Sequence, residues 1–191
     1  IVLGANIEDQ KSIIEEIMKF PGIADVKGQG NSKISLILEA EMLVEKINVS
    51  GIDAILAGNL VERSIDATID AQIRIVEPGT FPFTLAYFTG SKEHNIKMRQ
   101  IAIDKGLRLN EFGLFSEKDA GDKVGMEAAK NTLICSEEKD IYRHLGLKWI
   151  PPELREDMGE FESAKIDALP KLITVNDLKG SFHNHTTASD G

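Results

Sequence analysis

Apolar residues recur at helical spacing at Ile13, Ile14, Ile17 and Met18, with Glu15, Glu16 and Lys19 opposite, which predicts an amphipathic helix over 9–20. Pro21-Gly22 stops it. Residues 23–27 and 33–38 read as strands joined by a Gly28-Gln29-Gly30-Asn31 turn. The G-x-G in that turn lacks a third glycine and leads into a strand, so it is a turn and not a dinucleotide loop. Residues 39–66 mix short apolar runs with Gly51 and Gly58 and read as a long connection with some structure of its own.

Residues 68–76 alternate most clearly. Ile69, Ala71, Ile73 and Ile75 share one face and Asp70, Gln72 and Arg74 the other. This predicts a sheet strand with Ile69, Ile73 and Ile75 buried and its polar face toward a cleft or water. Pro78-Gly79 and Pro82 mark a subdomain border. Leu85 to Phe88 then lead into Thr89-Gly90-Ser91. A helix follows from about Lys92 to Lys105, with Ser91 as its N-cap and Gly106 just past its end. Leu107 to Leu114 read as a strand. Ser136 is placed to cap a second helix that Gly146 ends, and Pro151-Pro152 closes the module. Residues 153–179 are charge-rich, with the character of a linker.

The 191 residues carry 22 Lys and Arg against 31 Asp and Glu, a net charge of −9. That balance argues against a free-standing nucleic-acid binder but leaves room for a catalytic module that meets nucleic acid through one local face. No uninterrupted apolar run is long enough to span a bilayer, so no membrane partner is expected. The single Cys135 excludes an internal disulfide and a cysteine-clustered zinc site, and fits an intracellular protein. The N-terminal run has no basic stretch and no small-residue cleavage site, so no secretory signal is expected.

Candidate chemistry gathers at Tyr87-Phe88-Thr89-Gly90-Ser91. A glycine lets backbone approach a ligand closely, and aromatic faces pack on a sugar or a base. Asn95 and Arg99, four apart, share a helix face and offer donors suited to base edges and phosphates. The same residues also read as a strand end packing its aromatics into the core, followed by a capped helix and a surface arginine. Near the C-terminus His183-Asn184-His185 places two imidazoles on one side of an extended segment, and Asp190 adds a hard oxygen donor. From spacing alone this is either a metal pair or incidental. His94 and His144 show no partner pattern and read as helix-surface residues.

The run Tyr87-Phe88-Thr89-Gly90-Ser91-Lys92-Glu93-His94-Asn95-Ile96-Lys97-Met98-Arg99 closely resembles the nucleotide-contacting segment of family X DNA polymerases. Lys105-Gly106-Leu107 and Asn110-Glu111-Phe112 continue the likeness, as does Trp149-Ile150-Pro151-Pro152-Glu153-Leu154-Arg155-Glu156-Asp157, most like the bacterial and archaeal branch. Phe182-His183-Asn184-His185-Thr186-Thr187-Ala188-Ser189-Asp190-Gly191 is similar to the opening of the polymerase-and-histidinol-phosphatase (PHP) domain that those polymerases carry. The resemblance implies an α+β fold. A partial nucleotidyltransferase palm with a mixed sheet would occupy 1–83, with an insertion near 39–66. A small α/β nucleotide-selecting thumb would follow at 84–152, a linker at 153–180 and the start of a truncated PHP domain at 181–191.

By the same resemblance, the parent protein would be a DNA-directed DNA polymerase that adds a deoxynucleotide to a primer 3′-OH in DNA repair. Its partners would be primer-template or gapped DNA and a deoxynucleoside triphosphate, its home the nucleoid-associated cytoplasm. Tyr87 and Phe88 would contact the sugar, with Gly90-Ser91 as a special turn beside it. Asn95 would reach the base of the incoming nucleotide and Arg99 the template side of the new pair. Arg74 would be a switch residue pairing with Glu111 or its neighbour Phe112, where the family often has Tyr. Two Mg²⁺ ions would be held by a D-x-D pair and a third aspartate. Ile1-Val2-Leu3 looks like the continuation of the strand that carries the pair, which the sequence does not contain. The third position is Gln72, a neutral amide, and Asp70 is the carboxylate that could serve instead if the strand were shifted or bulged. A solvated strand residue is the other reading of Asp70. His183, His185 and Asp190 would be ligands of Zn²⁺ or Mn²⁺ in the PHP site. On this view the chain alone is inactive and holds no metal. The alternatives are a non-catalytic nucleotide- or DNA-binding module with a degenerated polymerase site, and an acidic α+β interaction domain.

Overall fold

The computed structural model describes residues 1–39 and 68–180. All but the first residue of the connection expected over 39–66, and the His183, His185 and Asp190 group, lie outside the described residues. The chain divides into two compact units, one of Ile1, Gln10–Arg74 and the stretch from Lys171, the other of Val2–Asp9 and Ile75–Pro170. Among the described residues no helix is long and apolar enough to cross a membrane.

Strands β1 (Val2–Gly4), β2 (Ile23–Gln29), β3 (Lys33–Glu39) and β4 (Thr68–Val76) form a sheet in the order β1-β4-β3-β2. The β2–β3 and β3–β4 pairs are antiparallel. Arg74 N–H donates to the Ile1 carbonyl and Ala5 N–H to the Val76 carbonyl, so β1 runs parallel to β4 and the sheet is mixed. Helix α1 (Ile7–Ile17) buries Ile14 and half-buries Ile13 and Ile17, with Glu15 and Glu16 exposed, as its periodicity predicts. Strand β2 runs two residues further than expected. Gly28 sits at a register shift inside it, and the turn is closed by Gly30 N–H on the Lys33 carbonyl.

The register of β3 on β4 is unbroken from Lys33↔Arg74 to Glu39↔Thr68. Ile34, Leu36, Ile73 and Ile75 make the buried face. Ile69, expected among them, is 49% exposed, because burial fades along β3 and β4 toward Glu39 and Thr68, where its partner Leu38 is only half-buried.

After β4 the second unit continues with α2 (Phe81–Thr89), with Pro82 in its first turn, where a missing N–H does no harm. Leu85 to Phe88 are therefore helical and not a strand end. Helix α3 (Lys92–Asp104) is capped as its sequence predicts. The Ser91 hydroxyl accepts from His94 N–H, and Gly106 takes the left-handed conformation beyond the end. Leu107 to Leu114 form no single strand but the hairpin β5 (Leu107–Asn110) and β6 (Gly113–Ser116), because Asn110 Oδ1 accepts from the N–H groups of both Phe112 and Gly113 and folds the chain back. Short helices α4 (Glu117–Ala120) and α5 (Gly125–Ala128) follow. In α6 (Glu138–His144) the cap is Glu137 in a capping box with Asp140, one residue later than expected. The Ser136 N–H instead donates to the Asp140 carboxylate, which these bonds hold below its usual range.

Residues from 153 on, expected as a linker, are part of this unit as far as Pro170. Helix α7 (Glu160–Lys165) contributes Phe161 and Ala164 to a core made with Phe83, Met98, Leu114, Ile141 and Tyr142. The same core buries charge. Arg155 is fully buried, its guanidinium bidentate on Glu138 at 2.8 and 3.2 Å, and its Nε donates to the Ile150 carbonyl. His94 is 1% exposed and not on the helix surface, because α3 turns that side onto α6 and α7. Its Nδ1 lies 2.8 Å from Glu160 Oε1, its Nε2 3.2 Å from the Tyr142 hydroxyl, and its ring is stacked on Phe161. His144 is exposed as expected.

Burial lowers the His94 pKa, outweighing the opposing hydrogen bond and charge of Glu160. Burial alone would raise that of Glu160, yet the hydrogen bonds from His94 and from the Asp157 and Met158 N–H groups leave it lowered. Burial raises that of Tyr142, which stays protonated. At neutral pH the pair is thus a carboxylate receiving the Nδ1–H of a neutral imidazole, with the Tyr142 O–H donating to Nε2.

Two outcomes follow for stability. A Cβ on Gly113 would stand 2.5 Å from Thr132 Oγ1 and 2.7 Å from Thr132 Cβ, while that hydroxyl bonds both N–H and carbonyl of Leu114. Gly113→Ala is therefore expected to destabilise the chain by about 1–3 kcal/mol, read as a lower urea midpoint at unchanged slope. The pH dependence has one sign. Unfolded chain takes up protons at His94 near 6.5 and at Glu160 near 4.5, whereas the folded chain does so only at lower pH. Stability from the pair is complete above pH 6.5 and falls as the pH drops, first through His94 and then through Glu160. The loss approaches about 1.4 kcal/mol per pH unit while only the unfolded imidazole is protonated. Thermal midpoints from pH 8 to pH 4, set at about half-unit steps, check this, and His94→Phe is expected to remove the limb that begins near 6.5.

Candidate nucleotide-contacting site

The turn between α2 and α3 is held from two sides. From behind, Ser91 N–H donates to the Arg155 carbonyl at 3.0 Å, and the His94 ring packs against Gly90 so closely that a Cβ there would lie 2.9 Å from His94 Cδ2. From within, Asn95 Nδ2 donates toward the carbonyls of Tyr87, Gly90 and Ser91 at 2.9, 3.2 and 3.0 Å. Three carbonyl neighbours fix which end of the amide is nitrogen. The Gly90–Ser91 peptide is trans. Tyr87 and Phe88 stand edge to face at 5.0 Å at the end of α2, with Tyr87 half-buried and Phe88 44% exposed.

The expectation that Asn95 and Arg99 share a face bordered by Tyr87 holds. All three line a small cavity of about 10 Å³ floored by Phe83, Ala86 and Met98, room for one water at most. On its other side Arg99 borders a second cavity of about 240 Å³ shared with Arg108, Asn110 and Lys123. That cavity is cationic, the local basic face that an acidic chain needs if it is to meet phosphates.

Glu111 lies at the tip of the β5–β6 hairpin, and its carbonyl accepts from the Thr84 hydroxyl at 2.8 Å, which ties the tip to α2. On the sheet, Asp70 and Gln72 are exposed and Arg74 half-buried. Gln72 Oε1 accepts from Arg74 Nε at 3.2 Å, and Asp70 is paired with Lys27, which reaches across from β2. The unbroken β3–β4 register contains no bulge that would carry Asp70 to the position of Gln72. Among the described residues no group of three or more His, Cys, Asp or Glu could hold a metal ion. One carboxylate already paired with a lysine, beside an amide, does not fit Mg²⁺ without donors from elsewhere. Cys135 is buried and its thiol pushed up to about 11, so it is no nucleophile.

Sequence reasoning missed His94, Glu160, Arg155, Tyr142 and Thr84 as parts of this region. Only His94 carried a local signal, since it continues the buried Met98, Ile101 and Ala102 stripe of α3 back by one turn.

Residues 84–156 match the family described as DNA polymerase beta thumb. The chain is 35% identical over 93% of its length to the DNA polymerase/3′-5′ exonuclease PolX of Bacillus subtilis, and spans 25% of that protein. It is 43% identical over 39% of its length to human DNA-directed DNA/RNA polymerase mu, covering 13% of it. It is 37% identical over 44% of its length to rat DNA polymerase lambda, covering 15% of it. In fold it resembles the crystal structure of Leishmania infantum polymerase beta, described as a ternary P/T complex, with a TM-score of 0.56 at 24% identity over 81% of this chain and 58% of that one. In sequence this chain is thus similar to about a quarter of a family X DNA polymerase and, over residues 84–156, to the polymerase beta thumb, and in fold it is similar to polymerase beta.

Proposed function

We propose that this chain is the nucleotide-selecting part of a DNA-directed DNA polymerase that extends a primer 3′-OH in DNA repair. The observation that carries the reading is the braced turn at Gly90–Ser91, which presents Tyr87 and Phe88 beside Asn95 and Arg99 inside the region matching the thumb family. The aromatic pair would receive the sugar of a deoxynucleoside triphosphate. Arg99, half-buried beside the cationic cavity, would reach the template side of the nascent pair of a primer-template or gapped DNA. Asn95 braces the turn with its donors, so contact with a base, whose minor-groove edge offers acceptors, would exchange one of those bonds for a base acceptor. Arg74 and Glu111 would form the switch pair.

Mg²⁺ would need ligands beyond those the described residues offer, so the chain alone would not extend a primer. The parent, working in the cytoplasm, would be the active species. In the same reading residues 181–191 open a PHP domain in which His183, His185 and Asp190 would bind Zn²⁺ or Mn²⁺. All three relatives carry polymerase names, which gives the binding-module alternative no support.

Primer extension by the parent tests the reading. Arg99→Ala is expected to reduce discrimination between matched and mismatched nucleotides by about tenfold or more with a smaller change in DNA affinity, because base-edge contacts specify while phosphate contacts position. Equal loss for matched and mismatched pairs counts against it. If Asp70 is the third carboxylate, Asp70→Asn is expected to abolish extension while Gln72→Asp changes it modestly; if the site has degenerated, the parent is expected to be nearly inactive and Gln72→Asp to raise its activity. Activity that survives Asp70→Asn removes Asp70 from the catalytic set.

A further inference from the structure

Behind the Gly90–Ser91 turn lies a buried pair that the nucleotide reading does not use. His94 is held on four sides: Nδ1 by Glu160, Nε2 by Tyr142, one face by Phe161, and the edge at Cδ2 by Gly90. The ring is the back wall of the turn. Glu160 is itself fixed, since its two oxygens accept from Asp157 N–H at 2.8 Å and Met158 N–H at 2.7 Å, besides His94. The Arg155 carbonyl, a few residues earlier, accepts from Ser91 N–H. Two separate ties thus run from residues 155–160 to the turn. On the far side Asn95 joins the Tyr87, Gly90 and Ser91 carbonyls into one unit. A displacement of the ring therefore reaches the end of α2, where Tyr87 and Phe88 pack edge to face.

We propose that Glu160, acting through His94, is a positioning residue that sets the Gly90–Ser91 turn and with it the Tyr87–Phe88 edge, so that it governs selection between deoxyribose and ribose in the incoming nucleotide. The proposal rests on the nucleotide reading above. Glu160 lies outside residues 84–156, the segment that matches the thumb family, so the match does not assign it. Its polar contacts explain why a carboxylate stands there. Three donors converge on it, and a side chain lacking two acceptor oxygens leaves at least one of them unpaired in a core position that is 6% exposed.

Two variants and two readouts test this. Glu160→Gln keeps the volume but turns an amide toward the three donors. His94→Phe keeps the stacked ring and removes both of its polar contacts. In the 191-residue chain, NMR follows the backbone amides of Gly90 and Ser91 and the side-chain amide of Asn95. In the full-length protein that carries it, single-nucleotide extension gives kcat and KM for dCTP and CTP. Both variants are expected to move the Gly90, Ser91 and Asn95 resonances, to raise KM for dCTP with little change in kcat, and to lower the dCTP-to-CTP preference about tenfold. If the preference is unchanged and only the thermal midpoint drops, Glu160 is a packing residue and the proposal falls. If Glu160→Gln fails to fold, His94→Phe is judged by the same criteria. If the unsubstituted full-length protein incorporates neither nucleotide, the polymerase reading fails and sugar selection with it. Unmoved turn resonances in the folded variants overturn the positioning role itself.

Discussion

A fully buried guanidinium is tolerable only where its charge is paired and each of its nitrogens finds an acceptor, and much of the second unit is arranged around answering Arg155. Glu138 on α6 takes the charge through two parallel bonds, the Ile150 carbonyl takes Nε, and the rings of Tyr142 and Trp149 lie within 5.5 and 5.8 Å of the guanidinium carbon. Removing either partner of such a pair leaves the other charge stranded, at about 3–5 kcal/mol. The backbone of the same residue then holds Ser91, so one support of the turn between α2 and α3 depends on a buried ion pair.

The buried polar groups also explain which parts of this fold could be read from the sequence. Strand β4, helix α1 and the capped start of α3 announce themselves because each contrasts apolar with polar positions over a few neighbouring residues. Helix α2 does not. Phe81, Phe83, Leu85, Ala86, Tyr87 and Phe88 leave no polar face to set a period, so a short apolar run looks equally like a strand. The β5–β6 hairpin was hidden for a different reason: its turn is made by the Asn110 side chain and not by a Gly-rich tip. Residues 153–170 look solvated by composition, yet Arg155, Glu160, Phe161 and Ala164 are all core. Glu160 meets His94 across 66 residues of sequence, and no local window contains that pairing.

For the site, the residue types and spacing at Tyr87, Asn95 and Arg99 were legible, and the structure groups them around one cavity. The bracing was not, because it runs through backbone carbonyls that have no signature in side-chain sequence. The sheet differs again. The alternation of β4 correctly put Asp70, Gln72 and Arg74 on the open side, but a period of two says nothing about how far the buried face extends, and Ile69 lies past its end.

The contact between the Gly90 α-carbon and the His94 imidazole has an evolutionary reading. With 2.9 Å between His94 Cδ2 and the place where a Cβ would be, position 90 cannot gain a side chain while an undisplaced ring stands at 94. A side chain at 90 becomes admissible only after 94 has shrunk, and a smaller residue at 94 opens a void beside Phe161 and strands Glu160. A lineage or directed-evolution library that places a side chain at 90 therefore crosses a two-step valley, and double substitutions at 90 and 94 are the route across it.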